Sequence, residues 1–469
     1  MNRRDFLSLL TSSSLAAMPW QARALAASPD PDVRFLRQSD ADYENYRVLF
    51  NSRIRRSPAV IAVCQNEAGV QKAVQHARQE GHAVAIKSGG HHFEGYSSND
   101  GGMCVDLTLM NGLRLLDGGR VLAEPSVRLM QVYENLMPQG RLLPTGSCAM
   151  VGLSGITLGG GYGLFSREYG LNCDWLRGAR IVDGHGRAHQ VKDSSELMWA
   201  LRGGGGGGLG VVTELEFDTL LCPKSITSYR FKAFNQTPAQ LAKITRAWFA
   251  IAAQLPRHAF SAYVLSGTTL TVLVTSTAPQ ADTSLRTALD KLGALANKTF
   301  PPQQRPLPEG IRPYYGRLTP LPFRNASAGF YKNYSDIEPA IVPIAELVAA
   351  NPGLLMQINT LGGAIDDPVH DNYSVYAHRG YPFLGEIQSY WEDSTRAPTL
   401  IAAVNKVQNL LTSAGITRHY ANYAEGGLKN WQHSYYGAAG YKRLIAVKKQ
   451  LDPDNLFRHP QSIEPSRSE

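Results

Sequence analysis

The chain has 469 residues, 43% of them hydrophobic and only 18% charged, with a formal net charge of +8. That much apolar material builds a real core, which excludes wholesale disorder, and the length suggests two or three domains. The 44 glycines follow no collagen period but cluster at Gly89-Gly90, Gly101-Gly102, Gly159 to Gly161, Gly203 to Gly208, Gly362-Gly363 and Gly426-Gly427. Such clusters mark places where the backbone turns tightly or approaches something closely.

In chain order, residues 1–26 read as a twin-arginine signal peptide. Arg3-Arg4 precedes an apolar stretch from Phe6 to Met18, and Ala24-Leu25-Ala26 offers the small residues of a cleavage site. This predicts a periplasmic or secreted protein, delivered by the twin-arginine export machinery, which carries proteins already folded around a cofactor. Cleavage after Ala26 would bring the net charge to +6. No later run approaches the ~18 apolar residues of a membrane span. The basic cluster Arg53-Ile54-Arg55-Arg56 lacks neighbouring stacking aromatics, which argues for a solvated surface and against nucleic acid. The cysteines number five, an odd count that leaves one unpaired or otherwise engaged in an oxidising compartment. With no C-x-x-C and no H-E-x-x-H, no metal site is expected.

Apolar spacing predicts a helix through Gln71 to Arg78, ended by Gly81. A buried strand, Ala83 to Ile86, then runs directly into Ser88-Gly89-Gly90-His91-His92. Strands follow at Cys104 to Leu107 and Val121 to Ala123, then a helix over Val127 to Leu136. Further on come a strand into a turn at Ala179 to Gly184, a capped helix at Ser195 to Leu201 and a long β-branched strand at Gly210 to Phe217. The pattern is α+β. Beyond Pro223, strands such as Thr269 to Val274 alternate with helices such as Leu285 to Leu295, and the proline-rich Pro301 to Pro308 predicts a surface loop. The last ~50 residues are expected to hold a strand, then a basic helix from Tyr441 to Gln450, stopped at Asp452-Pro453-Asp454-Asn455. No solenoid repeat is visible.

Two segments carry chemistry. Ser88-Gly89-Gly90-His91 fits neither the dinucleotide nor the P-loop fingerprint, yet its glycines offer unhindered N–H groups to an anionic group such as pyrophosphate. The alternative is a plain turn with surface histidines. Pro144 to Gly163 holds a single cysteine, Cys148, among small residues, as in a loop lying flat along a ligand. The alternative there is a structural turn with a buried cysteine.

These two segments, together with Trp199 to Gly205, Gly210-Val211-Val212-Thr213, Asp452 to Arg458 and Gln461-Ser462-Ile463, resemble the berberine-bridge-enzyme-like branch of the vanillyl-alcohol-oxidase / p-cresol-methylhydroxylase flavoproteins in order and spacing. The resemblance implies FAD, a two-domain α+β fold with an FAD-binding domain split between 30–222 and 417–469, and a substrate domain over 223–416. It also implies bicovalent flavin: His91 matches the histidine linked to the 8α-methyl, and Cys148 the cysteine linked to ring carbon 6. Both side chains are nucleophiles able to add to an electron-poor ring. With Cys148 so used, Cys64, Cys104, Cys173 and Cys222 remain, their pairing open. Further expected FAD neighbours are Ser88, Gly89, Gly90, His92, Val151, Gly152, Gly155, Gly159, Gly160, Gly161, Tyr162, Gly163, Gly210, Val211, Val212, Asn422 and Asn455. Ala149 and Met150 depart from the family's commoner Cys-Pro-Thr wording. Val151 falls where members with oxidase activity carry a small residue near flavin C4a.

For catalysis, Tyr420-Ala421-Asn422-Tyr423 resembles the family's Tyr-x-Asn-Tyr strand, in which Tyr420 and Asn422 would share one face and Tyr423 the other. Tyr423 is thereby implied as the base. Glu386, placed by alignment of Trp391, falls where some members carry an active-site Glu or Gln. A phenol of pKa ~10 is raised further by a carboxylate, so both groups cannot comfortably ionise together. Tyr423 is favoured as base, with Glu386 assisting or binding substrate. The expected activity is an FAD-dependent oxidase acting on an alcohol of a sugar, oligosaccharide or phenolic or polycyclic metabolite, with O2 reduced to H2O2. The alternatives are a dehydrogenase with another acceptor and a non-catalytic ligand-binding protein. The substrate itself is not legible, because no motif speaks between residues 224 and 416.

Overall fold

The computed structural model describes residues 30–370 and 372–465, so the signal peptide expected over 1–26 lies outside the described residues. Its first sheet contains β1 (Val33–Leu36), β2 (Val60–Cys64), β3 (Val84–Lys87) and β4 (Met103–Asp106) in the order β1-β2-β4-β3. The pairs β2–β4 and β3–β4 are parallel. Helix α1 (Glu67–Gln79) begins where Asn66 accepts from the Gly69 N–H at 3.0 Å, and it buries Val70, Ala73, Val74 and Ala77 as one stripe. It ends because Gly81 adopts φ +71, a conformation most residues avoid. Strand β3 is short and feeds the Ser88–His92 segment from its carboxyl end, the end at which parallel strands present ligand sites.

The second sheet is antiparallel, with β5 (Leu113–Leu115), β6 (Arg120–Ala123), β8 (Leu176–Val182), β9 (Ala188–Lys192) and β10 (Val211–Asp218) in the order β5-β6-β10-β8-β9. Between them β7 (Arg141–Leu142) pairs with β11 (Leu220–Leu221). Helices α2 (Leu129–Leu136), α3 (Leu153–Leu158) and α4 (Glu196–Gly204) pack on this sheet, α4 being capped by Ser195 Oγ, which accepts from Met198 N–H at 3.1 Å.

The third sheet has seven strands: β12 (Ser225–Ala233), β13 (Ala259–Ser266), β14 (Thr269–Ser276), β15 (Lys298–Pro306), β16 (Ala326–Tyr331), β17 (Leu354–Thr360) and β18 (Phe383–Ser389). Their order is β15-β12-β14-β13-β17-β18-β16, antiparallel throughout. One face is sealed by α5 (Pro238–Ala252), α6 (Thr283–Ala294), α7 (Glu338–Ala350) and α8 (Ala397–Ser413), around a core that includes Trp248, Tyr263 and Phe383. Strand alternation then turns Ala262, Thr271, Gln357, Asn359, Glu386 and Gln388 to the opposite face.

Two expectations about local structure are corrected. Pro301 to Pro308 is not simply a loop, since β15 runs through Pro306. It is an edge strand, and Pro301-Pro302 sit at an irregularity where Ser228 pairs with Gln303 and Arg230 with Phe300. Proline is tolerated there because its missing N–H falls outside the regular ladder. Residues Ala421–Tyr423 form a 3-10 turn and not a strand. The final helix, α9 (Trp431–Leu451), starts earlier than its basic stretch suggested and is interrupted at Gly437, φ +67. The five cysteines are all free, with Cys64, Cys104 and Cys173 buried.

Candidate functional site

A cavity of about 2420 Å³ lies between the glycine-rich loops and the open face of the third sheet. Small-molecule sites usually measure about 300–1,000 Å³, so this one has room for a large cofactor and a substrate together.

Its loop side is made of backbone. Gly89 and Gly152 approach so closely that a Cβ on Gly152 would lie 2.6 Å from Gly89 N, and a Cβ on Gly89 would strike the Gly152 backbone. The half-buried Arg128 guanidinium ties the two loops by donating to Gly89 O and Met150 O, each at 2.7 Å. Ser88 Oγ donates to Pro125 O at 2.9 Å, and Gly90 adopts φ +69 to turn the chain. These constraints present His91 on the wall, its ring stacked on Phe50 with centroids 3.7 Å apart. Burial pushes His91 down to about 3 and its Nε2 has no hydrogen-bond partner, so the imidazole is neutral with a lone pair to spare. His92 is also neutral, pushed to about 3 by burial, but its Nδ1 accepts from Glu94 N–H at 3.1 Å in the local turn. In the second loop Cys148 is exposed to the cavity, and its recessed position there, followed by the Glu386 charge, pushes its thiol up to about 11.

The C-terminal tail closes the loop side. Lys448 in α9 is completely buried and uses its ammonium on Gly208 O at 2.7 Å, Phe457 O at 2.8 Å and Asp452 Oδ2 at 2.6 Å. Asp452 in turn accepts from the Leu456 and Phe457 N–H groups. The segment then adds to edge strand β3 through Val84 N–H to Leu456 O at 2.9 Å. Sequence reading took this helix as merely basic. Only its tertiary position shows Lys448 as a staple between the glycine run and the tail.

The sheet side carries polar side chains. Glu386, on β18, receives Asn325 Nδ2 at 3.3 Å and Gln388 Nε2 at 2.9 Å, and shares a hydrogen bond with Tyr423. Burial pushes its carboxyl up to about 7. Tyr423 is held well above the usual phenol range, first by burial and then by the Glu386 charge. The Tyr423 hydroxyl also meets the Tyr162 hydroxyl, which receives Asn359 Nδ2 at 2.9 Å, while Asn359 Oδ1 accepts from Gln357 Nε2 at 2.9 Å. An ionised carboxylate can only accept, so Tyr423 gives its hydrogen to Glu386 and keeps a lone pair for Tyr162. Tyr423 also stacks on Phe93, with centroids 5.3 Å apart and planes within 6°.

The structure thus brings Tyr423 and Glu386 together through a geometry that sequence reading did not anticipate. In a strand Tyr420 and Tyr423 would point apart, whereas residues three apart in a 3-10 turn eclipse each other. Their rings lie 5.2 Å apart. Tyr420 Oη accepts from Gly161 N–H at 3.0 Å and from Asn422 Nδ2 at 2.9 Å, and Asn422 also donates to Ile156 O at 3.0 Å, so both anchor the turn to the second glycine loop.

Most of the expected neighbours line the cavity: Ser88, Gly89, Gly90, His91, His92, Cys148, Val151, Gly152, Gly155, Gly159, Tyr162, Gly163, Gly210, Val212, Asn422, Tyr423 and Glu386. Four do not. Gly160 and Gly161 turn away at φ +113 and +80, packing on Tyr376 and Asn172. Val211 points into the core shared by the first two sheets, opposite its neighbour Val212. Asn455 takes φ +51 in the turn after α9. Sequence reading also missed Asn325, Gln357, Asn359 and Gln388. Gln357, Asn359 and Gln388 are polar residues on strands, for which β-alternation was the available signal, whereas Asn325 stands just before β16 and carried none.

The side-chain-free cradle and the unpartnered His91 Nε2 fit a large flavin cofactor. An FAD binding domain model matches residues 58–192, and a model described as berberine and berberine like matches 419–464. The chitooligosaccharide oxidase of Gibberella zeae is 28% identical over 464 residues, spanning 91% of this chain and 92% of that protein. Among solved structures, Physcomitrella patens BBE-like 1 superposes with a TM-score of 0.84 at 22% identity over 93% of this chain and 98% of its own. The glucooligosaccharide oxidase from Acremonium strictum, described with 6-S-cysteinyl, 8α-N1-histidyl FAD, superposes with a TM-score of 0.83 at 24% identity, covering 93% and 98% of the two chains. With FAD as its cofactor, the chain is an FAD-linked oxidoreductase that carries both an FAD-binding and a berberine-like segment and is similar to berberine-bridge-enzyme-like proteins over most of its length.

Proposed function

We propose that this enzyme is an oxidase of a carbohydrate hydroxyl, with FAD held through both His91 and Cys148. The observation that carries the substrate class is the sheet face: Gln357, Asn359, Gln388 and Thr271 present amide and hydroxyl groups to the cavity, matching the dense donors and acceptors of a sugar. The resemblance to oligosaccharide oxidases supports the same reading. When bound, FAD supplies the two-electron acceptor for the CH–OH carbon. His91 is suited to the attachment because its neutral ring has a free nitrogen, and Cys148 because its thiol faces the cavity.

The acid–base step follows from the order of the two acids. Tyr423 rests protonated, because its hydroxyl is held far above neutral while Glu386 titrates near 7. Tyr423 therefore acts as a relay: its oxygen takes the substrate hydroxyl proton as its own proton passes to the Glu386 carboxylate. Tyr162 holds the Tyr423 oxygen in place, and Asn359 holds Tyr162.

Purified mature protein should be yellow, keep its flavin on the denatured polypeptide, and form H2O2 under air with a panel of mono- and oligosaccharides. Colourless protein would sink the reading. Flavin reduction by sugar without H2O2 would instead favour a dehydrogenase. Release of all flavin by His91→Ala alone would refute the second link.

A further inference from the structure

Behind the wall that holds Tyr423 lies a cluster of charges with no part in the chemistry above. The Arg324 side chain is only 9% exposed and uses both arms of its fork: Nη1 donates to Glu94 Oε1 at 2.7 Å, and Nη2 to both Glu425 carboxylate oxygens, each at 2.7 Å. Arg53 joins from the side, with Nη2 3.9 Å from Glu94 Oε2 and Nε donating to Phe323 O at 2.9 Å. Two arginines face two glutamates, so the cluster is neutral. Arg53 is accordingly drawn inward, unlike the freely solvated residue its sequence neighbourhood suggested.

The three segments meeting at Arg324 are remote in sequence, and each carries a group of the site. Glu94 follows His91 by three residues, Arg324 precedes Asn325, which donates to Glu386, and Glu425 follows Tyr423 by two. On the cavity side the same segments present aromatics. Phe93 stacks on Tyr423, and Phe323 meets Phe93 edge-on with centroids 5.6 Å apart. Phe93-Glu94 and Phe323-Arg324 are thus adjacent pairs, with the aromatic facing the cavity and the charged group pointing behind it. The clamp is braced further, since Glu425 Oε1 accepts from Gly427 N–H at 2.9 Å, Tyr435 Oη accepts from Glu425 N–H at 3.1 Å, and Gln461 Nε2 donates to Glu425 O at 2.7 Å.

We propose that Arg324 is a positioning residue: its two-armed contact with Glu94 and Glu425 sets the Phe93–Tyr423 stack and the aim of the His91 loop. The inference rests on the roles given above to Tyr423 and His91. It assigns Arg324 no contact with substrate or cofactor. A planar guanidinium is required, because a lysine ammonium reaches one carboxylate or the other but cannot fork between them.

The test uses the flavin-loaded enzyme. Arg324→Lys should lower kcat roughly ten- to a hundredfold while KM stays within about twofold, as expected when a reactive group is misaligned and binding is kept. Glu425→Gln, which keeps the shape and loses the charge, should do the same to a smaller degree. A second readout needs no substrate: in a Cys148→Ala background, where His91 alone holds the flavin, adding Arg324→Lys should lower the fraction retained on the denatured polypeptide severalfold. If both variants lose only thermal stability, with kcat and flavin retention unchanged, Arg324 is structural and the proposal falls. If Cys148→Ala alone releases all flavin, the His91 link fails separately, and the split between kcat and KM still judges Arg324.

Discussion

The two walls of the cavity are built on opposite principles. The loop wall is shaped by what is missing: at Gly89 and Gly152 the backbones touch, so no side chain can be admitted. The sheet wall is shaped by what projects, since Gln357, Asn359, Glu386 and Gln388 stand out from a regular ladder whose other face is packed with Trp248, Tyr263 and Phe383. A wall of backbone tolerates almost no substitution. A wall of side chains on a rigid sheet can be rewritten one residue at a time. The cofactor and the substrate therefore meet surfaces with very different freedom to change.

Four experiments would break or sharpen this contrast. Gly89→Val should have the largest effect, because its side chain would enter the Gly152 backbone. The expected result is no soluble flavin-loaded protein, a cost of about 4 kcal/mol or more, read as the flavin-to-protein absorbance ratio. Tyr423→Phe comes next: kcat should fall about 10²- to 10⁴-fold with the flavin still attached. Activity within a few-fold of wild type would remove Tyr423 from the relay.

Glu386→Gln should change the pH dependence. Because the folded carboxyl is pushed up to about 7 from an ordinary 4.5, the folded protein keeps a proton that the unfolded chain has lost between those values. Stability contributed by that proton is therefore present at low pH and lost as pH rises across the window, by about 3 kcal/mol. Thermal melts should show the wild type falling relative to Glu386→Gln between these pH values, and the ascending limb of kcat near neutrality should disappear in the variant. Parallel melting curves would show that Glu386 is not so perturbed. The smallest effect is expected at the sheet wall: Gln357→Ala should raise KM for sugar about two- to tenfold, the cost of one hydrogen bond, and leave flavin attachment intact.

The loop wall was legible in sequence because close backbone approach demands glycine, and glycine at fixed spacing is a written signal. His91 and Cys148 were named through the family resemblance that these glycine segments carry. The polar sheet wall was not legible, because one glutamine or asparagine on a strand carries no motif, and its meaning depends on which face the strand turns inward. Tyr423 was named for the right neighbourhood but with the wrong backbone, since a 3-10 turn and a short strand of small and aromatic residues look alike until the packing of Tyr420 on Gly161 is known.

The sequence by itself determined the local grammar: the capped helices, the alternating strands, the glycine loops and the FAD-binding family. Only the tertiary structure decided which carboxyl is raised, which arginine is clamped and which lysine is buried. Glu386, Arg324 and Lys448 are ordinary charged residues in the chain, and their properties come from partners up to 240 positions away. Local conformation follows from neighbouring residues, whereas burial and charge pairing are set by segments that meet only when the chain has folded.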